Sequence, residues 1–301
     1  MPQESHRILA EICIWHLLFA DFEVRLVDEI EVYCNSHVFL DYSAKNWTIH
    51  LCESLIGVKN PPTQSMLKLC DTASSRCQNW FMIYWRSTNT DFSRGFDSLM
   101  VASYFGLTNV TKLILRRDNI DLNVKDSRYE RSALSWAAGN GFQDSVELLI
   151  EGTYRRWKGF KLPMKAGAQV DSVDRNAFTP LSHAVLNGHV DATKLLLKAG
   201  ARADARDSIG GTPLDYANYN GNEHLLQLLF MSGDQVASEN DISTRVLMSA
   251  VEKGNEDIVK LLLDRRKADP NSKDAKGGTL LSLVIKVSLH SLSKSWGTRS
   301  R

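Results

Sequence analysis

The sequence predicts an all-α protein, a solenoid of helix-turn-helix units preceded by a small helical region. Three observations carry this. A spacing of 33 residues separates Thr179 from Thr212 and Thr212 from Arg245, and Thr279 follows 34 residues later. Alanines recur at Ala102, Ala137, Ala184, Ala217 and Ala250, and glycines at Gly106, Gly141, Gly188, Gly221 and Gly254. A Leu-rich stretch follows each of these glycines, as in LLL at 195–197. Self-similarity at a fixed period of this length is the mark of a repeat architecture.

The unit opening at Thr179 shows why these residues form this shape. The Thr179 hydroxyl can cap a helix N-terminus. Pro180 suits the first helical position, where no amide hydrogen is needed. Leu181, Ala184 and Val185 share one helical face, and Ala184 admits a close neighbour. Gly188 ends the helix by tolerating a left-handed backbone. A second helix from about Val190 to Lys198 buries Leu195 and Leu196, Gly200 ends it, and 204–211 is a polar turn into the next unit. So narrow an apolar face cannot bury itself alone, so stacked neighbours must supply one continuous core.

TPLSHA at 179–184 and TPLDYA at 212–217 resemble the T-P-L-H-x-A signature of the ankyrin repeat family. The resemblance covers residues 97–285, as about five units and a broken sixth. It implies that Thr179, Pro180, His183, Thr212 and Pro213 are structural, with the Thr and His bonding locally to tie loops together. It also implies reversible recognition of a protein partner, without a cofactor or metal. Such arrays present turn tips and first-helix surfaces, and the positions that vary between units are the candidates: Arg128, Tyr129, Arg131 and Asn140 in and before the second unit; Arg175, Asn176, Phe178 and Asn187 in the third; Arg206, Ile209, Tyr219 and Asn220 in the fourth. Arg and Tyr are common binding anchors.

Two departures interrupt the period. TYRRWKGFKLPMK at 153–165 separates Gly152 from Ala166 and carries Arg155, Arg156, Lys158, Lys161 and Lys165 among Tyr154, Trp157 and Phe160, with no acid. It reads as an exposed insertion at a repeat junction, where insertions go to surface loops. The functional alternative is contact with nucleic acid or an anionic membrane through Arg155, Arg156, Trp157, Lys158 and Lys161 and the basic tail, with steep loss of binding as salt rises. The last unit breaks off after Thr279, and 286–301 reads as a disordered basic tail.

Residues 1–60 read as helical, with 61–96 as a linker opened by Pro61-Pro62. FLDYSAKNWTIHL at 39–51 resembles the Y-A-x-x-x-W-x-x-H segment that follows the nucleotide-binding core in fungal NACHT-type signalling proteins, and LMVASYFGLTNV at 99–110 resembles their first ankyrin unit. Ser43 stands where that pattern has Ala. The chain has no G-x-x-x-x-G-K-[ST] phosphate loop, so nucleotide hydrolysis does not carry over.

The 301 residues are 43% hydrophobic and 24% charged with a net charge of +1, an ordinary globular balance that singles out no partner. Cys13, Cys34, Cys52, Cys70 and Cys77 all lie in the first 80 residues, in no C-x-x-C pair, and read as reduced thiols of a cytoplasmic protein, with the nucleus as the alternative. The apolar run Ile8 to Ala20 holds Glu11 and is too short to span a membrane. An enzyme would need a site within 1–96, such as Cys52 with His50 or Cys34 with His37. No surrounding motif supports either, and the expectation is a non-catalytic binding module.

Overall fold

The computed structural model describes residues 2–19, 34–53, 63–87, 95–117, 120–152, 154–157, 160–163, 167–232, 246–247, 250–251, 259 and 277–279. The chain divides into two compact units, Met1–Ala137 with Asp144–Gln169 and Ala138–Gln143 with Val170–Arg301.

The first unit begins with α1 (Pro2–Leu17), α2 (Val38–Glu53), α3 (Thr63–Leu69) and α4 (Ser75–Ser87). Ala10, Cys13, Ile14 and Leu17 form the buried face of α1, and Leu40, Ala44 and Trp47 that of α2. The two helices pack against each other, and α2 packs on α4. The expectation of a linker over 61–96 needs correction. This segment supplies α3 and α4, and Trp80, Phe81, Ile83 and Trp85 on α4 are buried. Pro61-Pro62 reads as a linker signal, yet helix α3 starts immediately after it, at Thr63. The physical reason for the helices is aromatic burial. Trp47 meets the edge of Trp80 at 5.2 Å, Trp80 and Phe81 reach Phe105, and Phe96 touches Trp136 at 5.2 Å. Trp80 Nε1 donates to the Leu69 carbonyl at 2.8 Å, so the buried indole keeps a partner.

The helix pairs of the period follow. They are α5 (Ser98–Tyr104) and α6 (Thr108–Leu115), α7 (Ala133–Gly139) and α8 (Gln143–Glu151), α9 (Pro180–Leu186) and α10 (Val190–Lys198), and α11 (Pro213–Tyr219) and α12 (Glu223–Ser232). Asp97, Thr179 and Thr212 cap their helices, accepting from Met100, Ser182 and Asp215 amides, and Asp215 completes a capping box with Thr212. Ala102, Ala137, Ala184 and Ala217 are fully buried. Gly106, Gly141, Gly188 and Gly221 all have positive φ, between 64° and 81°, which only glycine adopts without strain. Of the fifth unit, Val246, Leu247, Ala250 and Val251 are buried. Gly254 and the tail 286–301 lie outside the described residues.

The all-α expectation holds, with one addition. Within the insertion, β1 (Tyr154–Trp157) pairs antiparallel with β2 (Phe160–Pro163), placing Arg156 opposite Lys161 and Trp157 opposite Phe160. Strands escape a helical-period reading because four residues a side are too few to show a period of two.

Candidate functional site

Each turn between helix pairs is built around one buried aspartate that is not among the candidates drawn from the sequence. In the second unit of the chain, Asp174 Oδ1 accepts from the amides of Asn176 and Phe178, both at 2.9 Å, and the Asp174 amide donates to the Phe178 carbonyl at 2.9 Å. Asp174 Oδ2 lies 2.9 Å from His183 Nε2. One repeat later Asp207 Oδ1 accepts from Ile209 and Gly211 at 2.9 and 2.8 Å, and the Tyr216 hydroxyl donates to Oδ2. In the first unit Asp126 accepts from the amides of Arg128, Tyr129 and Arg131 and from Trp136 Nε1 at 3.3 Å. His183, Tyr216 and Trp136 are therefore three different donors doing one job. A signal for the aspartates does exist in the sequence: Asp174 and Asp207 both stand five residues before the capping threonine, and Asp126 six before Ser132.

Electrostatics fit this role. Burial alone would raise the Asp174 pKa, but the hydrogen bonds from His183 and from the Phe178 and Asn176 amides outweigh it and hold the carboxyl below its usual range. Burial, then the hydrogen bond to Asp207, pushes the Tyr216 hydroxyl up, so it stays a donor.

Several candidate contact residues are engaged inside the array. Arg131 lays its guanidinium 3.7 Å from the centre of the Trp136 ring and donates to the Ser135 hydroxyl and carbonyl. Phe178 stacks on Tyr216 at 5.2 Å and leans on His183 at 5.3 Å. Asn187 Nδ2 donates to the Gly139 carbonyl and Asn220 Nδ2 to the Leu186 carbonyl, both at 2.6 Å. Each amide satisfies a helix-end carbonyl of the preceding repeat. Asn140 is half-buried after α7. In the first unit Tyr129 meets Trp136 edge-on at 5.8 Å, with Arg128 over its ring at 5.3 Å.

The remaining candidates gather in the second unit. The Ser208 amide donates to the Asn176 carbonyl at 2.9 Å, so two consecutive turn tips stand side by side. Arg175, Asn176, Arg206 and Ser208 are exposed on them, and Ile209 is 87% exposed. Tyr219, at the end of α11, is 78% exposed. An isoleucine held this open on tips that carry two arginines provides an amphipathic surface and no reacting group.

Residues 155–240 and 209–274 match the model of a family described as ankyrin repeats, in three copies. The chain carries ankyrin repeats. No curated protein matches it. Ankyrin repeats are generally non-catalytic modules that bind other proteins, so protein partners in general follow, and the aspartate-centred turns above are how these repeats hold their tips.

The thiol–base pairs find no support in geometry. Among the described residues His50 is bonded to His6 and Tyr42 rather than to Cys52. Burial, with Asp41 adding, raises the Cys34 thiol, the opposite of an activated nucleophile. Burial also raises Cys70 and Cys77. Among the described residues no three His, Cys, Asp or Glu side chains come together as a metal site, and no helix is long and apolar enough to cross a membrane.

Within the insertion, Arg155, Arg156, Trp157 and Lys161 are placed by backbone alone, and Lys158 lies outside the described residues. The base of the insertion is well defined. The Ala168 amide donates to the Leu149 carbonyl at 2.9 Å, the bond that Ala201 makes to Leu196 at 3.0 Å in the next repeat. The Gln169 amide reaches Asn123 Oδ1 over 46 residues, as the Arg202 amide reaches Asp171 Oδ1 over 31. The extra chain is thus looped out between ends that keep the geometry of an uninterrupted repeat.

Proposed function

We propose that the ankyrin array recognises a partner protein through the paired turn tips of the third and fourth repeats and the end of α11. The observation that carries this is the exposure of Ile209 on tips that also carry Arg175 and Arg206 and are hydrogen-bonded to each other, with Tyr219 exposed at the end of α11. Exposed Ile and Tyr gain by burial against a partner, at roughly 25 cal/mol per Å² of apolar surface, while the arginines favour a partner face carrying carboxylates. Rigid tips lose little entropy on binding. The test replaces Arg175, Arg206, Ile209 and Tyr219 together with serine and compares affinity capture of partners with wild type. Loss of capture by a variant with unchanged helical signal and melting temperature is expected. Full capture by the folded variant overturns the reading.

We further infer that the array serves as the sensor end of a fungal NACHT-type signalling protein in the cytoplasm. The support is the resemblance of FLDYSAKNWTIHL and LMVASYFGLTNV to segments of such proteins. An antibody against the repeats decides between this and an independent adaptor. An endogenous product much larger than 33.8 kDa with a phosphate loop upstream is expected; a product of 33.8 kDa overturns it.

A further inference from the structure

Where α1 meets α2, two imidazoles face each other nitrogen to nitrogen. His6 Nδ1 lies 2.9 Å from His50 Nδ1, with ring centres 5.1 Å apart. The other nitrogen of His50, Nε2, lies 2.7 Å from the Tyr42 hydroxyl. His50 is buried and His6 half-buried. At 2.9 Å two ring nitrogens form a hydrogen bond, in which one must carry the proton and the other a lone pair.

We propose that His6 and His50 form a pH-sensitive joint between α1 and α2, closed while their Nδ1 atoms share one proton and open once each carries its own.

The proton inventory shows where the joint fails. With both rings neutral, His50 Nδ1–H donates to His6 Nδ1 and the Tyr42 hydroxyl donates to His50 Nε2, or every donor and acceptor reverses. One added proton is tolerated: an imidazolium at His50 donates to His6 Nδ1 from one side and to the Tyr42 oxygen from the other. A second added proton has to sit on His6 Nδ1. Two N–H groups then point at each other with no acceptor between them, and two positive charges lie in contact.

Among the described residues no carboxylate is bonded to either ring, Glu53 at the end of α2 included. On α1, Glu4 and Glu11 both hold Arg7, and on α2 Asp41 holds Lys45. His16, further along α1, lies 3.2 Å from the Ser43 hydroxyl and adds no negative charge. The helices packed on these two carry Lys68, on α3, and Arg76 and Arg86, on α4. None of these is a partner of His6 or His50. Tyr42 supplies a hydroxyl to His50 Nε2.

Burial, with the His6 charge adding, lowers the pKa of His50. The closed joint therefore binds fewer protons than the open one. Closure is complete above the ordinary histidine range near pH 6.5 and is lost as pH falls below it. Opening takes up one to two protons, so the open fraction rises between about tenfold and about a hundredfold per pH unit. It would bare the face of Ala10, Cys13, Ile14 and Leu17.

The test is amide hydrogen exchange on the full chain, read by mass spectrometry at pH 7.5 and pH 5.0 after correction for intrinsic rates. Wild type should lose at least tenfold in protection across α1, while peptides of α9 to α12 keep theirs. His6→Gln leaves a single titrating ring at the joint, and its α1 should change less than threefold. Unchanged wild-type protection at pH 5.0, or an equal loss in His6→Gln, overturns the proposal. Exchange at the imidazole Cε1–H follows each ring in the unaltered protein and does not depend on how the variant folds. Two well-separated titration steps for the pair are expected, and two independent titrations near pH 6.5 overturn the joint.

Discussion

Asp174 Oδ2 and His183 Nε2 stand 2.9 Å apart, and the same carboxylate holds the backbone of its own turn through its other oxygen. One side chain thus connects the turn tip to the first helix of its repeat. His183 stands one place after Ser182, which fills the histidine position of the family signature, and with an aspartate outside that signature it forms one structural element.

Replacing Asp174 with alanine should destabilise the chain by about 2–4 kcal/mol, because two backbone amides and a ring nitrogen lose their acceptor in a buried site. Asp174→Asn keeps an acceptor and should cost less. Since the native carboxyl is held below its ordinary range, the folded state resists its protonation. The stability it contributes is whole above about pH 4 and is lost as pH falls further. Urea unfolding at pH 7 and pH 3 checks this: the gap between wild type and Asp174→Asn should narrow at the lower pH.

Gly167 is required by space rather than by dihedral angle. A Cβ placed there would lie 1.9 Å from the Ile150 carbonyl oxygen and 2.9 Å from its carbon, both backbone atoms that cannot swing aside. At Gly200, one repeat on, φ is +89° but nothing lies within 4 Å. Gly200→Ala should cost the roughly 1–2 kcal/mol of a left-handed non-glycine residue, and Gly167→Ala more than that. Melting temperatures of the two variants decide the order; an equal or smaller loss for Gly167→Ala would show that the repeat closure yields.

Deletion of 152–165 should be nearly neutral for folding. Leu149 and Ala168 already make the closure that Leu196 and Ala201 make without any insertion. Joining Glu151 to Ala166 recreates the EAGA sequence, parallel to KAGA at 198–201. The expected change in urea midpoint corresponds to less than about 0.5 kcal/mol, the usual scale of surface changes. A loss of several kcal/mol would mean that β1 and β2 support the array.

Most of the repeat is legible in the order of residues. Thr179, Thr212, Ala184 and Gly188 announce cap, close packing and turn, because each acts through local backbone geometry that residue type alone dictates. The aspartates are legible only as a spacing. Their role depends on donors nine or ten residues away that differ in every copy, His183, Tyr216 and Trp136, so no shared residue type points to them. The contact surface is legible least. Asn187 and Asn220 have the same composition and repeat position expected of variable surface residues, yet they reach back 48 and 34 residues to carbonyls of the preceding repeat.

By itself the sequence determined the helical period, the caps, the turns and the ankyrin character of the chain, all consequences of residue type at short range. Only the tertiary structure decided that 63–87 is aromatic core, that Arg131, Phe178, Asn187 and Asn220 face inward partners, that Ile209 and Tyr219 face outward, and that His6 meets His50. Those outcomes depend on which chain segments come within a few ångströms of one another, and a linear order of residues does not carry that distance.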